Sequence, residues 1–254
     1  MPERRPWIDP SLRRKGIFLL PNLFTTSALF AGFYAIVQAM NGRFEHAAVA
    51  IFVAMILDGL DGRVARLTKT QSPFGAEYDS LSDMVSFGVA PALVVYVWAL
   101  KDLGKLGWIA AFIFCVGAAL RLARFNTRLD VADKRWFQGL PSPSAAALAA
   151  GLVWVMTDYG ISGRSVAWGA WALTVFAGLS MVSNLRYYSF KEINMRKSIP
   201  FVALLLIVLG FALLVYKTAQ VLFLFFVGYA LSGYVLAVAG LVRRHARTGT
   251  PGAR

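Results

Sequence analysis

Eight apolar runs, each close to the length that crosses a bilayer, leave this chain few folds to adopt. They fall at about 18–40, 44–68, 74–100, 106–125, 141–158, 165–182, 198–216 and 218–242, with only short polar breaks between them. In hydrocarbon every backbone N–H and C=O must find a partner within the protein, so apolar runs of about 20 residues fold as helices. The expectation is an all-α integral membrane protein of about eight transmembrane helices, forming a single polytopic domain over 17–242. Residues 1–16 read as a basic cytoplasmic segment, with a short interfacial helix in its second half. Residues 243–254 read as a basic, disordered tail. The first run is too long for a signal peptide and flows into further spans without a cleavage site, so it reads as a retained helix. The run 165–182 is the weakest of the eight, because Gly and polar residues thin its apolar signal.

A formal charge of +13 could point to nucleic acid, but the placement of the basic residues argues against it. Of the 26 Lys and Arg residues, 21 fall in alternate inter-span segments beginning with the N-terminus. By the positive-inside rule this puts both termini in the cytoplasm and requires an even number of spans. Trp98, Trp108, Trp154, Trp168 and Trp171 all fall near the opposite ends of the spans, where an aromatic belt is expected. The basic excess is therefore mainly topology, with attraction to anionic headgroups as a second effect. The lone cysteine, Cys115, lies inside a span, which leaves no disulfide framework and no thiol metal site.

Against this apolar background stand four aspartates: Asp58-x-x-Asp61-Gly62-x-x-Ala65-Arg66, then Gly75-x-x-x-Asp79-x-x-x-Asp83. A charged group at bilayer depth costs about 2.5–3.5 kcal/mol on insertion scales, so four within 26 positions mark a functional site. Runs two and three form a helical hairpin about the polar turn at 69–73. In an antiparallel hairpin, equal depth pairs Asp58 with Asp83 and Asp61 with Asp79. Spacings of three and four place Asp58 and Asp61 on one helix face and Asp79 and Asp83 on another.

Four close carboxylates cannot all stay ionised without compensation. One or two hard divalent cations, Mg²⁺ or Mn²⁺, suit such an oxygen-only set, and a pair of them would serve phosphoryl chemistry. The two histidines, His46 and His245, are remote in sequence, which argues against zinc or copper. Arg66 could neutralise a phosphate or brace an aspartate. Gly62, Ala65 and Gly75 would let a bulky phosphate or nucleotide approach the backbone. On these grounds alone two classes stay open, an enzyme and a divalent-cation or proton transporter.

The frame from Asp58 to Asp83 resembles the signature of the CDP-alcohol phosphatidyltransferase family, with every defining position filled. The flanks are similar to those of its membrane-embedded phosphatidylserine synthases: Tyr78-Asp79-Ser80-Leu81-Ser82-Asp83-Met84-Val85-Ser86-Phe87-Gly88-Val89-Ala90-Pro91, then Leu120-Arg121-Leu122-Ala123-Arg124-Phe125-Asn126, then Phe137-Gln138-Gly139-Leu140-Pro141-Ser142-Pro143. Met84 stands after the last aspartate, where phosphatidylglycerophosphate synthases tend to carry lysine. The resemblance covers about 17–200, and the last two runs carry no motif positions.

It implies a helical fold with a cytoplasm-facing polar cavity, working as a homodimer. It implies transfer of the phosphatidyl group from CDP-diacylglycerol to L-serine, releasing CMP; glycerol 3-phosphate and inositol are the alternative acceptors. Asp58, Asp61 and Asp79 are carried over as metal ligands, and Asp83 as the general base, also touching a metal. Gly62, Ala65, Arg66, Ser72, Gly75 and Asn22 are carried over to the CDP-lipid. Ser72 has a competing reading as a turn residue beside Pro73. Serine brings a carboxylate, so an arginine near the site is expected, and Arg121 and Arg124 are the candidates. Their competing reading is ordinary anchoring at the inner face. Lys134, Arg135, Arg186 and Lys191 read as anchoring charges, Asp130 and Asp133 as a solvated loop, and Pro91 as a helix bend.

Overall fold

The computed structural model describes residues 10–68, 70, 72–127, 136–189 and 201–248. Side chains are described from 20 onward and not in 201–204, 206, 207 and 241–248. The helices follow the apolar runs: α1 Pro10–Met40, α2 Phe44–Thr68, α3 Pro73–Asp83, α4 Ala90–Val95, α5 Lys105–Thr127, α6 Ser142–Asp158, α7 Ala167–Val182, α8 Phe201–Tyr216 and α9 Thr218–Thr248. α3 and α4 belong to one continuous rod that reaches Leu103, so the rods number eight among the described residues.

Five segments are long and apolar enough to cross a membrane: Leu20–Met40, Pro73–Leu103, Lys105–Thr127, Gly163–Val182 and Thr218–Gly240. The chain is thus a multi-pass membrane protein. α6 and α8 are short, at 17 and 16 residues, while α2 carries Glu45, Asp58, Asp61, Arg63 and Arg66. The weakest run in sequence, 165–182, is a formed helix that packs on α5.

Small residues set the packing. α6 is the central rod: Ala145 through Ala150 are all buried, and α2, α4, α7 and α9 pack around it. Bilayer tails are as apolar as leucine, so helices gain little from apolar burial and associate through close packing. The α5–α7 crossing shows how close: a Cβ on Gly117 would sit 2.5 Å from the Gly178 carbonyl oxygen. A second tight contact bears on the site. A Cβ on Gly32 of α1 would sit 2.6 Å from Ser86 Oγ, just past Asp83 in the third rod.

Several expectations need correction. Pro91 does not simply bend its helix. The backbone widens into a π turn over Met84–Val89 before it, with the Ala90 N–H donating to the Val85 carbonyl five residues back. The wider turn accommodates a residue that has no N–H and a bulky ring. α1 begins at Pro10, so an interfacial helix ending at 16 is not separate from the first span. α9 runs to Thr248, six residues into the tail expected to be disordered from 243. Arg243 to Arg247 are compatible with helix, and the first Gly comes only at 249.

Trp98 is buried, and Trp154 packs on Phe52 with ring centroids 5.7 Å apart, so these two serve the interior rather than an aromatic belt. Trp108 and Trp168 are exposed as expected. Two short antiparallel strands also form, β1 Trp136–Gln138 and β2 Arg186–Tyr188, pairing Phe137 with Tyr187. No alternating pattern announces them: Tyr187 is held by its tertiary setting, donating to the Ala230 carbonyl of α9.

Candidate metal and substrate site

α2 brings Asp58 and Asp61 towards its end, and α3 carries Asp79 and Asp83 away from its start. The hairpin is fixed at its turn by Ser72. This residue is the N-cap of α3, and its Oγ accepts from the Gly75 N–H at 3.0 Å, with Pro73 in the first turn. The turn reading of Ser72 therefore holds as far as its bonds go. It does not preclude a ligand contact, since the hydroxyl is only partly buried.

The depth pairing drawn from sequence is the pairing seen. The carboxyl groups of Asp58 and Asp83 lie within hydrogen-bonding reach of each other, as do those of Asp61 and Asp79. One oxygen from each of Asp58, Asp61 and Asp79 lies within 4.8 Å of the others. Two carboxylates in such contact require a shared proton or cation. Asp79 Oδ1 and Asp83 Oδ1 are buried and have no hydrogen-bond partner in the protein. Among the described residues the ion pair formed is Arg164–Asp102, at the other end of the third rod. Acceptor oxygens in excess, two of them orphaned, are what a hard divalent cation satisfies, and the cluster fits one. His46 lies at the opposite end of α2, so the described donor set is oxygen alone.

α1 supplies what the motif did not reveal. Thr25 Oγ donates to Asp61 Oδ2 at 2.7 Å, and both residues are buried, with exposures of 4% and 5%. The Thr25 carbonyl in turn accepts from Ser82 Oγ at 3.1 Å, tying α1 to the helix that bears Asp79 and Asp83. Thr26 Oγ lies 2.9 Å from the Tyr78 hydroxyl. The sequence signal was a pair of threonines, three and four residues beyond Asn22 in the first apolar run, which the aspartate spacing overshadowed.

Of the residues assigned to the CDP-lipid, Asn22, Ser72 and Gly75 converge. A Cβ on Gly75 would sit 3.2 Å from Ser72 Oγ and 3.5 Å from Asn22 Oδ1. Gly62 faces open space, where an added Cβ would meet nothing. Arg66 is exposed and its Nε donates to the Gly62 carbonyl at 2.9 Å, so it touches none of the aspartates. Ala65 accepts from the Thr70 N–H, closing the end of α2.

The two arginine candidates separate. Arg121 Nη1 donates to Ser142 Oγ at 2.7 Å, its charge lies beside Asp83, and its buried Nε has no partner. Arg124 Nη1 instead reaches the Ser183 carbonyl at 3.4 Å, at the end of α7. Tyr229 of α9 stands close enough to Arg121 to feel its charge, so a helix without motif positions borders the site. Asn126 Nδ2 donates to Ser80 Oγ at 3.0 Å, clamping α5 to α3. Asp130, Asp133, Lys134, Arg135 and Lys191 lie outside the described residues.

The CDP-alcohol phosphatidyltransferase family model matches residues 18–176. The chain is 40% identical over 178 residues to the CDP-diacylglycerol–serine O-phosphatidyltransferase of Helicobacter pylori strain 26695, covering 70% of this chain and 75% of that protein. The enzyme of the same name from Mycobacterium tuberculosis H37Rv is 40% identical over 162 residues, which cover 61% of this chain and 56% of that protein. The one from Methanocaldococcus jannaschii is 42% identical over 137 residues, covering 54% and 61% respectively. Every residue of the site described above except Ser183 and Tyr229 falls within the family match.

Proposed function

The chain belongs to the CDP-alcohol phosphatidyltransferase family, and from that premise we infer that it is a CDP-diacylglycerol–serine O-phosphatidyltransferase. It transfers the phosphatidyl group of CDP-diacylglycerol to the hydroxyl of L-serine, giving phosphatidylserine and CMP. The observation that carries this reading is the pairwise meeting of four carboxylates from α2 and α3, two of their oxygens orphaned, in a chain that matches the family over that hairpin.

Asp58, Asp61 and Asp79 hold divalent metal in this reading, with Asp83 also touching it, and the ions are two, Mg²⁺ or Mn²⁺. Such cations, when bound, supply charge stabilisation to the pyrophosphate and to the leaving phosphate oxygen. The protein's own residues do the rest. Asp83 accepts the proton of the serine hydroxyl as that oxygen attacks the lipid-linked phosphorus. The new O–P bond forms as the bond to the bridging oxygen of CMP breaks. Thr25 keeps Asp61 aimed by its hydrogen bond.

Gly62, Ala65, Arg66, Ser72, Gly75 and Asn22 cradle the CDP moiety, and the open space at Gly62 gives a phosphate room beside the backbone. Arg121 receives the serine carboxylate: its Nε is an unused donor beside the proposed base, and a planar guanidinium suits a carboxylate. Arg124, bound to a helix-end carbonyl, has the weaker claim. The site and both termini face the cytoplasm, following the bias of basic residues to one set of loops. The working particle is a homodimer, as the family resemblance implies.

The test is CMP release by purified protein from CDP-diacylglycerol with Mg²⁺ or Mn²⁺, comparing serine, glycerol 3-phosphate and inositol. Metal-dependent release with serine alone is the expected result. Release with a different acceptor alone would overturn the serine assignment while keeping the metal site. No release with any acceptor, from folded protein, would overturn the enzymatic reading.

A further inference from the structure

Two of serine's three polar groups have partners in the reading above, the hydroxyl at Asp83 and the carboxylate at Arg121. The ammonium has none, and a cation leaving water for a buried site must be met by electron-rich atoms. The four aspartates are already engaged, with the metal and with the hydroxyl proton. Arg121 itself points to a candidate, because its charge has two neighbours: Asp83 on α3 and Tyr229 on α9. α9 lies beyond the family match and packs on α6.

Tyr229 is held by a clasp between α9 and β2. Its hydroxyl donates to the Tyr188 carbonyl at 3.1 Å, and Tyr187 donates back to the Ala230 carbonyl at 3.1 Å. The Tyr187 and Tyr229 rings lie with centroids 5.6 Å apart. Tyr187 is fully buried, and a Cβ on Gly233 would collide with its ring, so α9 is cut to admit it. β2 pairs with β1, and β1 leads through Gly139 and Leu140 to Ser142, which accepts from Arg121. One small sheet therefore connects the mountings of Tyr229 and Arg121.

A phenol suits this place. Because its proton goes to Tyr188, the Tyr229 oxygen turns lone pairs to its other surroundings, and its ring face is electron-rich as well. A carboxylate here would pair with Arg121 and withdraw it from the substrate, whereas a neutral phenol leaves the guanidinium able to bind. Tyr229 is half-buried, while Ser142, the other hydroxyl at Arg121, is fully buried. We propose that Tyr229 receives the ammonium group of serine and so selects a zwitterionic amino alcohol, a proposal that rests on the phosphatidyl-transfer reading. A phosphorylated or neutral alcohol brings no cation to this oxygen, and a phosphate is repelled by it.

Tyr229→Phe tests it by removing the oxygen while keeping the ring. KM for serine should rise about tenfold, with kcat and KM for CDP-diacylglycerol staying within about twofold. Ethanolamine is serine without its carboxylate and probes the ammonium alone. Its inhibition constant against phosphatidylserine formation should rise by about the same factor. Tyr187→Phe breaks the other bond of the clasp and should leave both quantities within about twofold. Retained kcat shows that each variant is folded. The assignment would be overturned by an unmoved KM for serine, by a loss shared with kcat or with the lipid's KM, or by an equal shift in Tyr187→Phe. Ethanolamine that does not inhibit the wild type, or inhibits Tyr229→Phe equally well, would overturn it too. Wild-type protein that releases no CMP with serine would instead sink the underlying enzymatic reading.

Discussion

The two ends of the α3–α4 rod hold acidic residues under opposite conditions. Near its end, Asp102 accepts from Arg164 Nε at 2.8 Å, with both side chains largely exposed. Asp158, at the end of α6, accepts from Gln220 at 2.6 Å. At the rod's start, Asp79 and Asp83 point at two other carboxylates, and each has a buried oxygen with no partner. The first kind of aspartate is completed by its neighbours and by water. The second keeps buried oxygens that no donor among the described residues meets, in a cluster that could hold a metal ion. Residue type is the same; Asp102 lies in a 3₁₀ turn and Asp79 and Asp83 in an α-helix, but the difference that matters here is whether the fold provides donors.

That contrast can be broken most directly at the cluster. Asp79→Asn or Asp83→Asn should lower metal-dependent CMP release about a thousandfold or more while the protein still elutes as folded membrane protein. Full activity in either variant would place the chemistry elsewhere. Arg121→Gln should act next most strongly, raising KM for serine about 10–100-fold through loss of a charged hydrogen bond. KM for CDP-diacylglycerol should be unmoved, and a parallel change in both would make Arg121 a structural brace for Ser142 or Asp83.

Thr25→Val, which keeps the shape but removes the donor to Asp61, should weaken Mn²⁺ binding by about tenfold, with Thr25→Ser restoring it. Calorimetry on detergent-solubilised protein reads this without turnover. Asp102→Asn should matter least, changing stability by less than about 1 kcal/mol and activity not at all, because exposed ion pairs contribute little.

Much of the fold was legible because the bilayer restricts it. Runs of apolar residues mark helices whatever their partners, and the eight runs correspond to the eight described rods. The pairing of Asp58 with Asp83 and of Asp61 with Asp79 was equally legible, since two antiparallel helices joined by a short turn match in depth by residue number. Where partners come from distant segments, the reading stopped. Thr25 meets Asp61 across 36 residues, and no local period reveals which threonine will face an aspartate.

Arg121 and Arg124 share a helix turn and are equivalent in sequence; their partners Ser142 and Ser183, and the nearness of Arg121 to Asp83, distinguish them. The β1–β2 pair and the bordering role of Tyr229 arise from the same kind of long-range assembly. Trp98 and Trp154 misled because an aromatic near a span's end suits a belt and a packed core alike.

The most direct test of the cluster's nature is Mn²⁺ binding to purified protein, followed by electron paramagnetic resonance, in the wild type, Asp79→Asn and Asp102→Asn. The account predicts tight binding by the wild type and by Asp102→Asn, and its loss in Asp79→Asn. Equal binding in all three, or none in the wild type, would contradict the claim that the four aspartates are a metal site.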